Sequence, residues 1–211
     1  ETGDMLGALA PVLLARECFR QDVVAPAESE TVGSPWSLAD CTSLDFSCAN
    51  LTGPAPAPCS NALQADEMAS LTEALKEEAP KLTSLELRGN WVGPLAVAAL
   101  STALQQHPAL EFLGLGSTAM GDVGGTALAR RLLLQDAPPS LRRVDLSHNH
   151  LGDDFARSLA EALKAEESVL ETLDLAWNGI GPRGGRYLGD ALRVNDALLE
   201  LRLQWNGLQD R

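Results

Sequence analysis

The chain repeats itself. Aligned at their first leucine, LTSLELRGNWVG (from Leu82), LEFLGLGSTAMG (from Leu110), LRRVDLSHNHLG (from Leu141), LETLDLAWNGIG (from Leu170) and LLELRLQWNGL (from Leu198) share one pattern. Successive copies start 28, 31, 29 and 28 residues apart. A degenerate copy, CTSLDFSCANLTG from Cys41, keeps Leu44, Phe46, Leu51 and Gly53 in phase, and the insertion GPAPAPCSNALQ sets it 41 residues ahead of the next. A period of this length signals stacked supersecondary units, none of which can bury its apolar face alone.

Each copy has two halves. The first, L-x-x-L-x-L, alternates apolar and polar residues, as a half-buried strand does. The second is amphipathic at helical spacing: Leu71 with Leu75, Leu100 with Leu104, Leu128 with Leu132, Leu159 with Leu163, and Leu188 with Leu192. Gly93-Pro94 and Gly181-Pro182 mark strand-to-helix turns, because proline suits a first helical turn. Pro138-Pro139 is expected to absorb the extra residues of the 31-residue copy. The predicted fold is an α/β solenoid, a horseshoe with parallel strands on its concave face and helices on its convex face. Residues 1–40 are read as a helical cap that includes Met5–Ala15. Residues 41–211 hold about six repeats, the first degenerate and the last incomplete.

Three residues after the last apolar position of the strand come Asn90, Asn149, Asn178 and Asn206, with Ala49 and Thr118 as exceptions. An amide there can bond backbone groups that the strand ladder leaves unpaired, so these residues are read as structural. The pattern L-x-x-L-x-L-x-x-N-x-L-G resembles the ribonuclease-inhibitor-type leucine-rich repeat family over residues 41–208. The resemblance implies protein binding on the concave wall or its rim. Cytosolic members often carry cysteine within the repeats, and here none follows Cys59. A cysteine-rich N-terminal cap is more typical of secreted repeat proteins, so the resemblance points to a secreted or ectodomain member.

The cysteines suggest the same compartment. Cys18, Cys41, Cys48 and Cys59 are the four in the chain. Their clustering at one end suggests two disulfides pinning the cap, in any of three connectivities, and hence an oxidising environment. Free buried thiols are the alternative. Asn50-Leu51-Thr52 is a glycosylation sequon in a polar stretch. An extracellular or cell-surface location is therefore expected. No apolar run reaches the roughly 20 residues that span a bilayer, and an anchor beyond Arg211 is left open. The net charge of −13 argues against nucleic acid and anionic membranes as partners.

Catalytic chemistry finds little support. Gly121-Asp122-Val123-Gly124-Gly125 and Gly181-Pro182-Arg183-Gly184-Gly185 imitate phosphate loops, but both fall at the strand-to-helix turn and lack the Lys-Ser/Thr of a nucleotide loop. His148 and His150 flank Asn149 near Asp153 and Asp154, with no further His or Cys cluster to complete a metal site. Glu77-Glu78 and Glu166-Glu167 read as solvated helix ends. No catalytic residue, metal or cofactor is expected.

Binding is expected where the repeats align side chains. His148, Trp177 and Trp205 hold one position in three consecutive repeats, although the chain has only four tryptophans. They are predicted to stack on the rim of the concave wall as a partner-binding site, the alternative being that they brace the array. Asp145, Asp174 and Arg202 line the column beside them, and Phe112 next to Gly114 and Gly116 marks a shallower place for a partner's backbone to approach. The expected partner is another protein, met as receptor, co-receptor or adaptor. The alternatives are an inhibitor whose acidic wall masks a basic enzyme, and a rigid scaffold whose cap holds the partner. The last repeat lacks its helix, so self-association through an uncapped edge is a further expectation.

Overall fold

The computed structural model describes residues 41–47, 63, 65–77, 79–105, 107–134, 138–165 and 168–208. The expected cap of residues 1–40, Cys18, Cys48, Cys59 and the sequon residue Asn50 lie outside them. Among the described residues six short strands alternate with five helices: β1 (Ser43–Asp45), α1 (Ala65–Glu77), β2 (Ser84–Glu86), α2 (Gly93–Ala103), β3 (Phe112–Gly114), α3 (Gly121–Leu128), β4 (Arg143–Asp145), α4 (Asp153–Leu163), β5 (Thr172–Asp174), α5 (Pro182–Leu192) and β6 (Glu200–Arg202). The strands form one parallel sheet in sequence order. Its register is that of the repeat: Ser43, Ser84, Phe112, Arg143, Thr172 and Glu200 are successive partners.

The period-2 pattern explains the layering. Leu44, Leu85, Leu113, Val144 and Leu173, the middle residues of their strands, are buried, while their neighbours face the concave wall. The helical leucines meet them from the other side: Leu71, Leu75, Leu100, Leu104, Leu128, Leu159, Leu163 and Leu188 are all buried. Leu192 departs from expectation and is exposed, because no further described helix packs over the end of α5. The 31-residue copy also departs. Much of its extra length enters a π-helical turn, Ala129–Leu134, that continues α3. Such wider turns accommodate an inserted residue without ending the helix.

The asparagines knit one repeat to the next. Asn149 Nδ2 donates to the carbonyls of Leu115 and Leu146, and its Oδ1 accepts the N–H groups of Thr118 and Met120. Asn178 repeats this against Leu146, Leu175, Asn149 and Leu151. Asn90 bonds Phe46, Leu87 and the N–H of Leu63. Thr118, the exception in the column, lies 2.9 Å from the Leu115 carbonyl through Oγ1.

The helix starts use a second inter-repeat device. Gly152 and Gly181 precede α4 and α5 and have no side chain with which to cap them. The preceding repeat supplies the acceptor: Asp122 Oδ1 takes the N–H of Gly152 at 2.6 Å, and Asp153 Oδ1 takes those of Gly181 and Gly184 at 2.8 Å each. The glycine-rich turns therefore serve packing and capping. A Cβ at Gly125 would strike Leu151 and Phe155, and one at Gly184 would strike Ile180 and Asp153.

A candidate protein-binding rim

The strand register fixes where the aromatic column lies. β4, β5 and β6 end in matching positions, and three residues on, the chain turns at His148, Trp177 and Trp205. All three have left-handed backbone, with φ of 57°, 58° and 59°. Gly89 and Ser117 hold the same place in earlier repeats, also with positive φ. The turn demands this conformation, which costs a residue bearing a Cβ about 1–2 kcal/mol. The repeats thus put their bulkiest residues where glycine would fit without strain.

The rings stack. His148 and Trp177 have centroids 5.1 Å apart and planes 11° apart, and Trp177 and Trp205 are 4.6 Å and 18° apart. Trp177 is nevertheless 48% exposed and Trp205 69% exposed. Offset stacking gains about 0.5–1.5 kcal/mol per pair, which offsets much of the strain without burying the rings.

On the wall beside the stack, Asp145 and Asp174 each accept the N–H two residues on, from Ser147 and Ala176 respectively. The second oxygen of Asp145 takes Arg88 Nη1 at 2.8 Å, and that of Asp174 takes Arg202 Nη1 at 3.4 Å. The column is charge-paired within the fold. Arg202 also holds Glu200 through Nε at 2.7 Å.

The glycine gap near Phe112 is likewise filled. Arg88 reaches across a whole repeat to Asp145, passing over Gly116, where a Cβ would lie 2.8 Å from its Nη1. The Glu86 carboxylate lies over Gly114 and would collide with a Cβ there. Burial raises the pKa of Glu86, an effect countered by its bond from the Arg88 N–H and reinforced by Asp145 and Asp45. Phe112 itself sits under the Arg143 guanidinium, 5.9 Å from its ring centre. The glycines accommodate the protein's own long side chains, so the shallow approach expected there is occupied.

Cys41 is buried. Among the described residues no cluster of three or more His, Cys, Asp or Glu could hold a metal ion, and no helix is long and apolar enough to cross a membrane.

The parallel ladder, the helices packed behind it and the asparagine column coincide with a sequence family. A family profile described as Leucine Rich repeat matches residues 78–101, 137–160 and 168–189. The fold is a leucine-rich-repeat solenoid. Over 114 residues, 54% of the chain, it is 38% identical to the Tonsoku-like proteins of Bos taurus and Mus musculus, the match taking up 8% of each relative. It is similar at 29% identity over 139 residues to NACHT, LRR and PYD domains-containing protein 3 of Rattus norvegicus, where the match takes up 13%. The chain thus corresponds to a small part of the curated relatives it matches. Among solved structures, Leiomodin-1 Actin-Binding Site 2 (ABS2) superposes with a TM-score of 0.39 at 18% identity, covering 74% of this chain and 68% of that one. That likeness is too loose to bear on function. Leucine-rich repeats build extended concave surfaces that imply the binding of other proteins.

Sequence reasoning passed over other exposed apolar residues. Trp91, Leu95 and Val123 are 84%, 85% and 73% exposed. Comparing repeat offsets would have found two of them, since Leu95 and Val123 occupy positions filled by Asp154 and Arg183 in later repeats.

Proposed function

We propose that this chain is a protein-binding leucine-rich-repeat domain of the ribonuclease-inhibitor type, and that it takes its partner on the rim formed by His148, Trp177 and Trp205. The observation that carries this reading is the pairing of backbone strain with exposure. A left-handed tryptophan is costly, and tryptophan is enriched in interface hot spots. Were the rings only braces, burial would be expected to compensate the strain, yet Trp177, with a ring stacked on each side, stays 48% exposed. We place the domain at the cell surface or outside the cell, as part of a receptor, co-receptor or adaptor. The clustering of Cys18, Cys41, Cys48 and Cys59 at one end of the chain and the sequon at Asn50 support that placement. The alternative of an acidic inhibitor draws less support, because Arg88 and Arg202 already sit on Asp145 and Asp174.

The test compares affinity capture by the wild-type chain and by Trp177→Asn/Trp205→Asn, with cells of the source tissue as input. Proteins retained by the first bait and lost by the second support the rim, and identical captures refute it. Intact mass with and without reductant and glycosidase checks the compartment.

A further inference from the structure

The aromatic column ends on an open ring face. Ser117 stands one repeat before His148 in the column and shares its left-handed backbone, with φ of 55° against 57°. Its side chain stops at Oγ, where His148, Trp177 and Trp205 carry rings. Those rings are nearly parallel, with centroids 5.1 and 4.6 Å apart. That interval is close to the roughly 4.8 Å between neighbouring strands, so the rings stack along the column. The face of His148 turned away from Trp177 therefore looks toward Ser117. Among the described residues no other ring stacks on His148, and its side chain is exposed. The place a fourth ring would take begins where Ser117 stops.

We propose that the partner lays an aromatic side chain (tryptophan, tyrosine or phenylalanine) on this free face of His148, above Ser117, as the fourth ring of the ladder. This deepens the rim reading and rests on it. The charges beside the place favour an uncharged planar group. Arg88 Nη1 lies 2.8 Å from Asp145 Oδ2 and 3.3 Å from Ser147 Oγ, and a Cβ on Gly116 would be 2.8 Å from it. Gly116 and Ser147 are the chain neighbours of Ser117 and His148, so the guanidinium stands next to the inserted ring. A partner's arginine or lysine would meet a like charge there. A partner's carboxylate would find the Arg88 charge already held by Asp145. An aromatic ring meets neither obstacle, and it gains a stacked contact that an aliphatic group of equal bulk does not.

The probe is N-acetyl-phenylalaninamide, titrated into the whole isotope-labelled chain and followed by NMR. Its ring-saturated counterpart, N-acetyl-cyclohexylalaninamide, and N-acetyl-argininamide are run in parallel. The phenylalanine probe is expected to shift the amides of Ser117 and His148 saturably, and to bind about fivefold tighter than either control. Ser117→Trp fills the place with the protein's own ring and should abolish the response. His148→Asn removes the ring while tolerating the left-handed turn, and should abolish it too. Melting curves verify that both variants fold. Four results each overturn the fourth ring: no saturable shift, equal binding of the saturated probe, tighter binding of the arginine probe, or a response that survives both variants. Affinity capture separates this outcome from the fate of the rim. A protein lost by Trp177→Asn/Trp205→Asn and kept by Ser117→Trp leaves the rim standing and removes its fourth ring.

Discussion

Asp153 caps a helix to which it does not belong: its Oδ1 accepts the N–H of Gly181 at 2.8 Å, across the boundary between two repeats. Asp153 opens α4, and Gly181 precedes α5. The carboxylate satisfies two otherwise unpaired amides and lies at the positive end of the helix dipole.

Asp153→Ala should therefore destabilise the fold by about 1–2 kcal/mol. Asp153→Asn, which keeps the acceptor and removes the charge, should lose less than half of that. Urea unfolding of the three proteins checks the order. Equal losses would assign the effect to charge alone.

Asn149→Ala should be among the most damaging single changes. It takes the acceptor from the N–H groups of Thr118 and Met120 in buried surroundings, while the carbonyls of Leu115 and Leu146 keep Thr118 Oγ1 and Asn178 Nδ2. At about 1–3 kcal/mol for each buried group left unsatisfied, the loss should be about 2 kcal/mol or more. Asn206→Ala, with a half-buried side chain and bonds to Leu175, Leu203 and Ile180, should cost less. Chemical denaturation of both variants measures the difference.

His107 supplies a pH dependence. It is buried, with Nε2 donating to the Ala79 carbonyl and Nδ1 accepting the Ala109 N–H at 3.4 Å, the pattern of a neutral ring. Burial lowers its pKa from the ordinary 6.5, partly opposed by the bond to Ala79. The unfolded chain then binds the proton more readily than the folded one. Stability from this group is complete above pH 6.5 and is lost as pH falls below that value through the lowered folded pKa. Melting temperature should drop between pH 7 and 5, and His107→Gln should flatten that slope. Glu86 acts with opposite sign: its pKa is raised, so acidification toward 4.5 relieves an unfavourable buried charge.

Trp177→Asn separates bracing from binding. Asparagine tolerates left-handed backbone, so the substitution removes stacking while relieving strain. Stability should change by less than about 1 kcal/mol. A loss of 2 kcal/mol or more in thermal or urea unfolding would show the ring to be a brace.

Much of this fold could be read from the spacing of its leucines, because a parallel ladder in strict register turns sequence offset into position. That is why Leu85 and Leu113 are paired partners and why His148, Trp177 and Trp205 share one column. Offsets locate a Cα and say nothing of where a long side chain goes. Arg88 crosses 57 positions of sequence to Asp145, and Glu86 lies over Gly114, so two places that looked open are occupied. The π-helical turn escaped for a related reason. An inserted residue can widen a helix or lengthen a loop, and Pro138-Pro139 made the loop the more visible choice.

Because each asparagine ties its own turn to the one before, the array holds together as neighbours hold hands, and opening it from one end breaks few ties at a time. An occupant on Trp177 and Trp205 would slow amide exchange in their turns, registering as local protection before any shift in global unfolding.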